Sequence, residues 1–315
     1  MPATYLKYFE SQNLFMIRIY STLCLCLGFM LFSCTIFHKN TTNLNAVQWI
    51  HGLENCDQNT DSAIQIVRYN SNTFILRQNK CINYEAPFMF LFLGDKKALL
   101  MDTGATEDPE QFPLYTTIKK IIEQWESATN TNIELIVAHT HNHGDHKAGD
   151  AQFANKKNVT VVGLEVADVS AYFKITNWPF TNTTIDLGNR KLEMIPIPGH
   201  QKAAIAVYDN ETNILLTGDS FYPGRLYIKD WEAYTLSIQR LVDFTEQHKI
   251  SYILGNHIEM SKTPKQDYPR GTTFQPDEHP LPLTVKDLKL LNNELKKLGN
   301  TPTKKVYDCF IIYPV

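Results

Sequence analysis

The stretch Thr140-His141-Asn142-His143-Gly144-Asp145-His146 decides the fold class, because it crowds three histidines and an aspartate into six consecutive residues. It follows an apolar, β-branched run at residues 133–138, which is typical of a buried strand. Neutral imidazole and carboxylate groups bind zinc or iron, and without a metal these crowded polar groups would be desolvated and unpaired. The sequence therefore predicts a metal site at the end of this strand.

The bulk composition is that of an ordinary globular protein. The 315 residues are 43% hydrophobic and 20% charged, which fits one large α/β domain or two smaller ones. The net charge is −3, and the lysine pairs at residues 119–120 and 304–305 are too short for a nucleic-acid footprint. We therefore expect a small-molecule substrate and no nucleic-acid partner, while the oligomeric state stays open.

The N-terminus has the pattern of an export signal. An apolar core at residues 23–32 follows Arg18, and it is too short to span a bilayer but right for a signal peptide. The sequence Leu31-Phe32-Ser33-Cys34 resembles a bacterial lipobox, in which Cys34 is lipidated, and Met16 is a candidate start site. An uncleaved anchor and a plain secretory signal cut elsewhere are the alternatives.

The export signal defines the predicted domain organisation. We expect a signal peptide at residues 1–34, a polar Asn- and Thr-rich tether at residues 35–62, and one folded domain at residues 63–315. The protein would lie in the periplasm or on the outer membrane, attached through its lipid. In an exported protein Cys56 and Cys81 are candidates for a disulfide, a pairing that the sequence leaves open.

Strands and helices alternate in two similar halves. The first half predicts a hairpin, a strand that ends at Asp102, a helix at residues 115–125, and the strand before the histidine cluster. The second half predicts a hairpin, a strand that ends at Asp219, a helix at residues 234–247, and a strand that ends at His257. This parallel indicates two related halves that face each other. A helix at residues 284–298 and a strand at residues 306–313 close the chain.

Three residues far from the cluster share its placement after an apolar run: His200, Asp219 and His257. Strand ends that gather at one rim of a sheet converge even when they are distant in sequence. His139 precedes the cluster and is expected to be buried beside it. The remaining histidines lie in polar stretches and are expected at the surface: His38, His51, His248 and His279.

These residues resemble the metallo-β-lactamase superfamily over about residues 63–260. The resemblance rests on five motifs, which are, in chain order, Asp102-Thr103-Gly104, the H-x-H-x-D-H of residues 141–146, Pro198-Gly199-His200, Thr217-Gly218-Asp219 and Gly255-Asn256-His257. The resemblance implies an α/β fold, an αββα sandwich of two mixed β-sheets flanked by helices, with two metal ions at one edge. Asp102-Thr103-Gly104 is usually a structural element beside that site.

The resemblance also implies the ligand set. The first metal would be held by His141, His143 and His200, the second by Asp145, His146 and His257, with Asp219 between the two. The diiron branch of the superfamily carries Glu at the position of His143. Two zinc ions are therefore expected, with iron or manganese as alternatives.

Hydrolysis is the reaction that this ligand set implies. Two divalent ions lower the pKa of a shared water, and the resulting hydroxide attacks a carbonyl or phosphoryl centre. Asp145 would orient this nucleophile, and Tyr222 or Tyr227 is a candidate for a hydrogen bond to the substrate, with packing as the alternative role. We expect cleavage of an ester, lactone, thioester or amide bond.

Two competing functions stay open. A periplasmic zinc β-lactamase is the alternative enzyme, and the export signal favours it. Asp219 disfavours it, because zinc β-lactamases of the superfamily generally carry Cys or Ser at this position. A metal-binding surface or interaction protein is the alternative that is not an enzyme.

Overall fold

The computed structural model describes residues 41–315. The signal peptide predicted for residues 1–34, with the lipidation of Cys34, lies outside the described residues and stays a prediction. Within residues 41–315, no helix has the length and apolar character that crossing a membrane requires.

The first half of the domain forms a six-stranded sheet in sequence order. Its strands are β1 (Ile64–Asn70), β2 (Thr73–Gln78), β3 (Phe88–Leu93), β4 (Lys97–Met101), β5 (Glu134–Ala138) and β6 (Val159–Val161). Strands β1 to β4 are antiparallel, whereas β4, β5 and β6 run parallel. The parallel strands align their carboxyl ends at one edge, where the histidine cluster follows β5.

The second half forms another six-stranded sheet with nearly the same topology. The later strands are β7 (Thr183–Asp186), β8 (Lys191–Pro196), β9 (Ile205–Asp209), β10 (Ile214–Gly218), β11 (Arg225–Ile228), β12 (Tyr252–Gly255), β13 (Pro282–Leu283), β14 (Lys305–Val306) and β15 (Ile311–Pro314). The sheet order is β13-β12-β10-β9-β8-β7, with β7 to β10 antiparallel and β10 parallel to β12. The two halves therefore repeat each other, as the sequence indicates. A third sheet of order β11-β15-β14 lies beside them.

The described residues form five α-helices, of which the three long ones cover the outer faces of the two sheets. They are α1 (Leu114–Thr129), α2 (Gly144–Lys147), α3 (Val166–Phe173), α4 (Trp231–Gln247) and α5 (Val285–Leu298). Helix α1 packs on the first sheet, whereas α4 and α5 pack on the second. The predicted αββα sandwich is confirmed.

The apolar strand β3 shows why the two layers form. Phe88, Phe90 and Phe92 point into the core between the sheets, whereas Met89 and Leu91 point towards α1. Because successive side chains of a strand point to opposite faces, a strand that is covered on both sides has no polar face. Its continuous apolar run is thus the signature of a central sheet layer.

The tether predicted for residues 35–62 is wrong over its described part. Residues 41–62 pack on the domain, with Leu44 and Trp49 buried in the core between the sheets. Cys56 forms a disulfide with Cys81. The Asn- and Thr-rich composition obscured this because two isolated apolar side chains are enough to anchor a short segment.

The strand predicted for residues 306–313 is also different in the structure. Strands β14 and β15 are short and pair with each other, and a turn closed by the hydrogen bond from Tyr307 N to Phe310 O joins them. The apolar run therefore bends back on itself instead of extending.

Candidate metal centre

The structure brings all seven predicted ligand residues to one edge of the sandwich. Each follows a strand of one of the two sheets or lies in the short helix α2, and each therefore has a fixed position. They lie in two groups, within each of which the donor atoms are all within 4.8 Å of one another: His141, His143 and His200, and Asp145, His146, Asp219 and His257.

The first group consists of three imidazoles whose nitrogens converge. Nδ1 of His143 lies 2.9 Å from Nε2 of His141 and 3.1 Å from Nε2 of His200. His143 thus presents its Nδ1 atom to the group, whereas the other two present Nε2. The remaining nitrogen of His143, Nε2, lies 3.0 Å from Nζ of Lys229.

The second group combines imidazole and carboxylate. Oδ2 of Asp145 lies 3.4 Å from Nε2 of His146 and 3.3 Å from Nε2 of His257. The two imidazole nitrogens are themselves 3.4 Å apart. A single ion could therefore meet all three side chains.

Asp219 faces both groups. Its Oδ2 lies 3.8 Å from Nε2 of both His141 and His200, and 3.5 Å from Nε2 of His146. Its Oδ1 is 3.5 Å from Nε2 of His257 and accepts no hydrogen bond from any described residue, although it is buried. Buried carboxylate oxygens normally find a partner, so this oxygen fits the position of a ligand to a cation between the groups.

Backbone carbonyls fix the orientation of two of the histidines. Nδ1 of His200 lies 2.7 Å from the Tyr227 carbonyl, and Nδ1 of His257 lies 3.0 Å from the Glu85 carbonyl. Because a carbonyl can only accept a hydrogen bond, each Nδ1 carries a proton, and each ring turns its Nε2 towards the centre. Ligands of metal ions in proteins are commonly oriented in this way.

Asp102 connects the two sheets directly beneath the centre. Its carboxylate accepts hydrogen bonds from the backbone N and the hydroxyl of Thr140 and from Nδ2 of Asn256, and it lies 3.3 Å from Nδ1 of His146. Asp102 adopts a φ of 68°, a left-handed conformation that non-glycine residues rarely adopt. The sequence marks this residue only through the Asp-Thr-Gly motif, and its contact with a candidate ligand is visible only in three dimensions.

The local electrostatics differ between the two groups of candidate ligands. Burial, followed by the charges of neighbouring groups, lowers the pKa of His141 well below its usual value and that of His143 to about 4. Burial alone would raise the pKa of Asp145 and Asp219, but His146 and His257 outweigh it and lower both. The first group therefore offers neutral imidazoles. The second offers ionised carboxylates, and these raise the pKa of His146 and raise that of His257 to about 9 against the opposing effect of burial.

The donor set fits metal ions in its chemistry as well as its geometry. Imidazole nitrogen and carboxylate oxygen are the ligands of zinc and of other transition metals. The cluster is thus able to hold metal ions, and which metal it takes is not fixed by these residues alone.

A cavity of about 360 Å³ opens onto the centre. This volume is in the range of small-molecule sites. Its lining includes Asp145, whose side chain is 22% exposed, and residues of the segment 258–281, which the sequence did not single out because it lacks a periodic pattern.

The geometry gives little support to a substrate contact by Tyr222. Its hydroxyl is buried, donates to the carbonyl of Arg225 at 2.5 Å and lies 3.1 Å from Oε2 of Glu259. Tyr227 is half-buried and lines the cavity. The hydrogen bond to a substrate oxygen therefore stays a prediction, with Tyr227 the better placed of the two.

His139 and His248 contact neighbouring side chains of the fold and do not belong to the candidate metal centre. His139 is buried, with Nε2 2.8 Å from Oδ1 of Asp150, as expected from its place before the cluster. His248 is half-buried instead of fully exposed, because its ring stacks on Phe244 at 3.8 Å. Both are apart from the seven residues of the centre.

The fold and the site together define the class of this protein. The family model described as the metallo-β-lactamase superfamily matches residues 85–245, which is just over half of the chain. The chain belongs to this superfamily and is one of its hydrolases. His257 lies beyond the matched residues, so only the structure places it in the centre.

The chain is similar to curated proteins and to a solved structure. The chain is 33% identical to acyl-coenzyme A thioesterase MBLAC2 of Gallus gallus over 82 residues, which cover 24% of this chain and 29% of that protein. It is 24% identical to the Homo sapiens protein of the same name over 205 residues, which cover 54% of this chain and 72% of that protein. The match therefore spans less than a third of the chicken relative. The DIM-1 metallo-β-lactamase exposed to ceftazidime superimposes with a TM-score of 0.51 at 14% identity over 76% of this chain and all of that chain, which shows a shared fold.

Proposed function

We propose that this protein is an exported hydrolase that uses two zinc ions to cleave a thioester or ester bond, with lactones and amides as further substrates. The observation that carries the proposal is the position of Asp219. Its carboxylate faces both groups of ligand atoms at the floor of an open cavity.

The two cations, when bound, lower the pKa of a water and polarise the bond to be cleaved. The residues of the chain hold and orient the reactants. Asp145 turns Oδ2 towards His146 and His257, and its partly exposed carboxylate can accept a hydrogen bond from a water in the cavity and so orient it. Backbone carbonyls hold the rings of His200 and His257. Their Nε2 atoms therefore already face the centre and need no reorientation when metal ions bind.

Among the proposed substrates we rank the thioester first, because the curated relatives carry the name acyl-coenzyme A thioesterase. Zinc is placed first because three neutral imidazoles form one group and imidazole suits zinc well. Iron and manganese are the alternatives that metal reconstitution would test.

A substrate panel tests the proposed reaction. Zinc-loaded protein would be assayed with an acyl-coenzyme A thioester, nitrophenyl acetate, a lactone and nitrocefin, before and after a chelator. We expect chelator-sensitive cleavage of the thioester or ester that is lost in Asp219→Ala and kept in His248→Ala.

Other outcomes would favour the competing functions. Faster turnover of nitrocefin than of every other substrate would indicate a β-lactamase. Two bound metal ions without turnover of any substrate would indicate a metal-binding surface protein and contradict the proposal.

Export has its own support and test. The Cys56–Cys81 disulfide suits an oxidising compartment. We expect globomycin-sensitive processing and lipid labelling that is lost in Cys34→Ser. An unchanged Cys34→Ser protein would favour a plain secretory signal.

A further inference from the structure

The part of the cavity lining outside the candidate metal centre has more cationic than anionic side chains, although the chain has a net charge of −3. Outside the seven candidate ligands, the charged residues that line it are Lys80, Arg225, Lys229, Arg270, Glu85 and Glu259. A concave site with walls of one sign attracts ligands of the opposite sign.

Arg225 is neutralised within the protein. Its guanidinium lies 3.0 Å from Oε1 of Glu259 and 2.8 Å from Oδ2 of Asp267. Both contacts hold the segment 258–281 against β11. Arg225 and Glu259 therefore cancel, and Lys80, Lys229 and Arg270 remain against Glu85.

Lys229 has no anionic partner in the described part of the chain. No carboxylate oxygen of residues 41–315 lies within 4.0 Å of its Nζ, which contacts Nε2 of His143. A neutral imidazole has one donor and one acceptor nitrogen. If Nδ1 of His143 gives its lone pair to a metal, Nε2 carries the proton and cannot accept from Lys229. The ammonium group of Lys229 then lies beside the centre, and His143 no longer accepts a hydrogen bond from it.

Arg270 is a second exposed cation in the lining of the cavity. Its side chain is exposed, and the neighbouring Tyr84 raises its pKa. No carboxylate oxygen of residues 41–315 lies within 4.0 Å of its guanidinium either. Two contacts hold the backbone just before Arg270: the ion pair of Arg225 with Asp267 and the hydrogen bond from Tyr268 N to Glu259 O.

We propose that the cavity takes substrates that carry an anionic group, a carboxylate or a phosphate, and that Lys229 and Arg270 bind this group. The inference rests on the proposed function, because it assigns the substrate class of the same site. The buried Lys80, whose Nζ donates to the Tyr84 carbonyl, adds to the positive potential at the cavity wall.

Matched substrate pairs test this inference. One pair is nitrophenyl butyrate and nitrophenyl hydrogen glutarate, which differ by a carboxylate, and the other is acetylglycerol and acetylglycerol phosphate. We expect kcat/KM for the anionic member to exceed that for the neutral member by about tenfold or more, since each hydrogen bond to a charged group is worth at least that factor. The pair with the larger ratio identifies the anionic group.

Variants assign the preference to the two residues. Lys229→Met and Arg270→Met should each reduce the ratio by about tenfold, and added salt should reduce it in the unmodified protein. Lys262→Met is the matched control, because Lys262 lies on the same segment but outside this cavity. Turnover of the neutral esters with a ratio of one overturns the inference and leaves the proposed function standing.

A binding measurement separates the two proposals. Calorimetry of glutarate and of inorganic phosphate with the zinc-loaded protein should show about tenfold weaker binding to Arg270→Met than to Lys262→Met. Equal binding to both variants overturns the inference. Weaker binding to Arg270→Met in a protein that hydrolyses nothing would support the anionic site and contradict only the hydrolase.

Discussion

Oδ2 of Asp102 lies 3.3 Å from Nδ1 of His146, and both side chains are fully buried. The same carboxylate holds Thr140, beside His141, and Asn256, beside His257. One buried residue outside the lining of the cavity at the centre thus orients candidate ligands from both sheets.

Asp102→Asn should loosen the second ligand group without removing any ligand. We expect about 10- to 100-fold weaker binding of one metal ion, which is the usual effect of losing a group that orients a ligand. Titration with zinc and a competing chelator measures it. Asp243→Asn, an exposed change on α4, is the control. Equal affinity in both variants would mean that Asp102 acts only in the fold.

Arg77 and Glu278 form a buried ion pair with N–O distances of 2.5 Å and side-chain exposures of 1% and 7%. Arg77→Met should lower the free energy of unfolding by about 3–5 kcal/mol, because it leaves a buried carboxylate without its partner. Urea denaturation measures this loss. Lys289→Met breaks an exposed pair with Glu246 and should cost less than about 1 kcal/mol. Similar losses in both variants would contradict the assigned burial.

The Cys56–Cys81 disulfide closes a loop with a sequence separation of 25 residues. Replacing both cysteines with serine should lower the free energy of unfolding by about 3 kcal/mol, because the unfolded chain regains the entropy of the open loop. Denaturation with and without reductant measures it. The unmodified protein should respond to the reductant and the double variant should not. An unmodified protein that is insensitive to reductant would contradict this pairing.

Lys80 should make stability depend on pH above neutrality. Burial, reinforced by Arg77 and opposed by Glu278, Glu259 and Glu85, lowers its pKa from 10.5 to about 8. Between these two values the unfolded chain binds more protons than the folded one, so stability rises with pH.

The matching measurement compares the unmodified protein with Lys80→Met at two pH values. From pH ~7.5 to ~9.5 the unmodified protein should gain about 2 kcal/mol of unfolding free energy relative to the variant. Taking the difference between the two proteins removes the contribution to the free energy of unfolding of every group that titrates in both. Parallel curves would mean that Lys80 keeps its ordinary pKa in the fold.

The two sheets and the grouping of the candidate ligands could be predicted because their signals are local. Apolar runs such as β3 and β5 mark central strands, and a polar residue at the end of each run marks the common edge. The similar order of strands, helix and polar residues in the two halves of the sequence predicted two related halves that face each other. The two sheets have nearly the same strand order, as this predicts.

The rest depends on contacts between distant residues that carry no local pattern. Arg77 and Glu278 are 201 residues apart, and nothing near either one indicates a buried partner. Leu44 and Trp49 lie in a polar stretch whose average composition predicts a tether, yet both enter the core. The positive cavity wall is assembled in the same way, because Lys229 and Arg270 come from segments that meet only in the folded protein.

Measuring the metal content of the protein tests the central claim most directly. This claim is that the site holds two ions and that Asp219 faces both groups of ligands. Elemental analysis of protein purified from zinc-replete cells should give about two metal ions per chain. His200→Ala should lose mainly one ion, Asp219→Ala should lose most of both, and His248→Ala should keep both. Protein without bound metal, or Asp219→Ala and His248→Ala with equal metal content, would contradict the account.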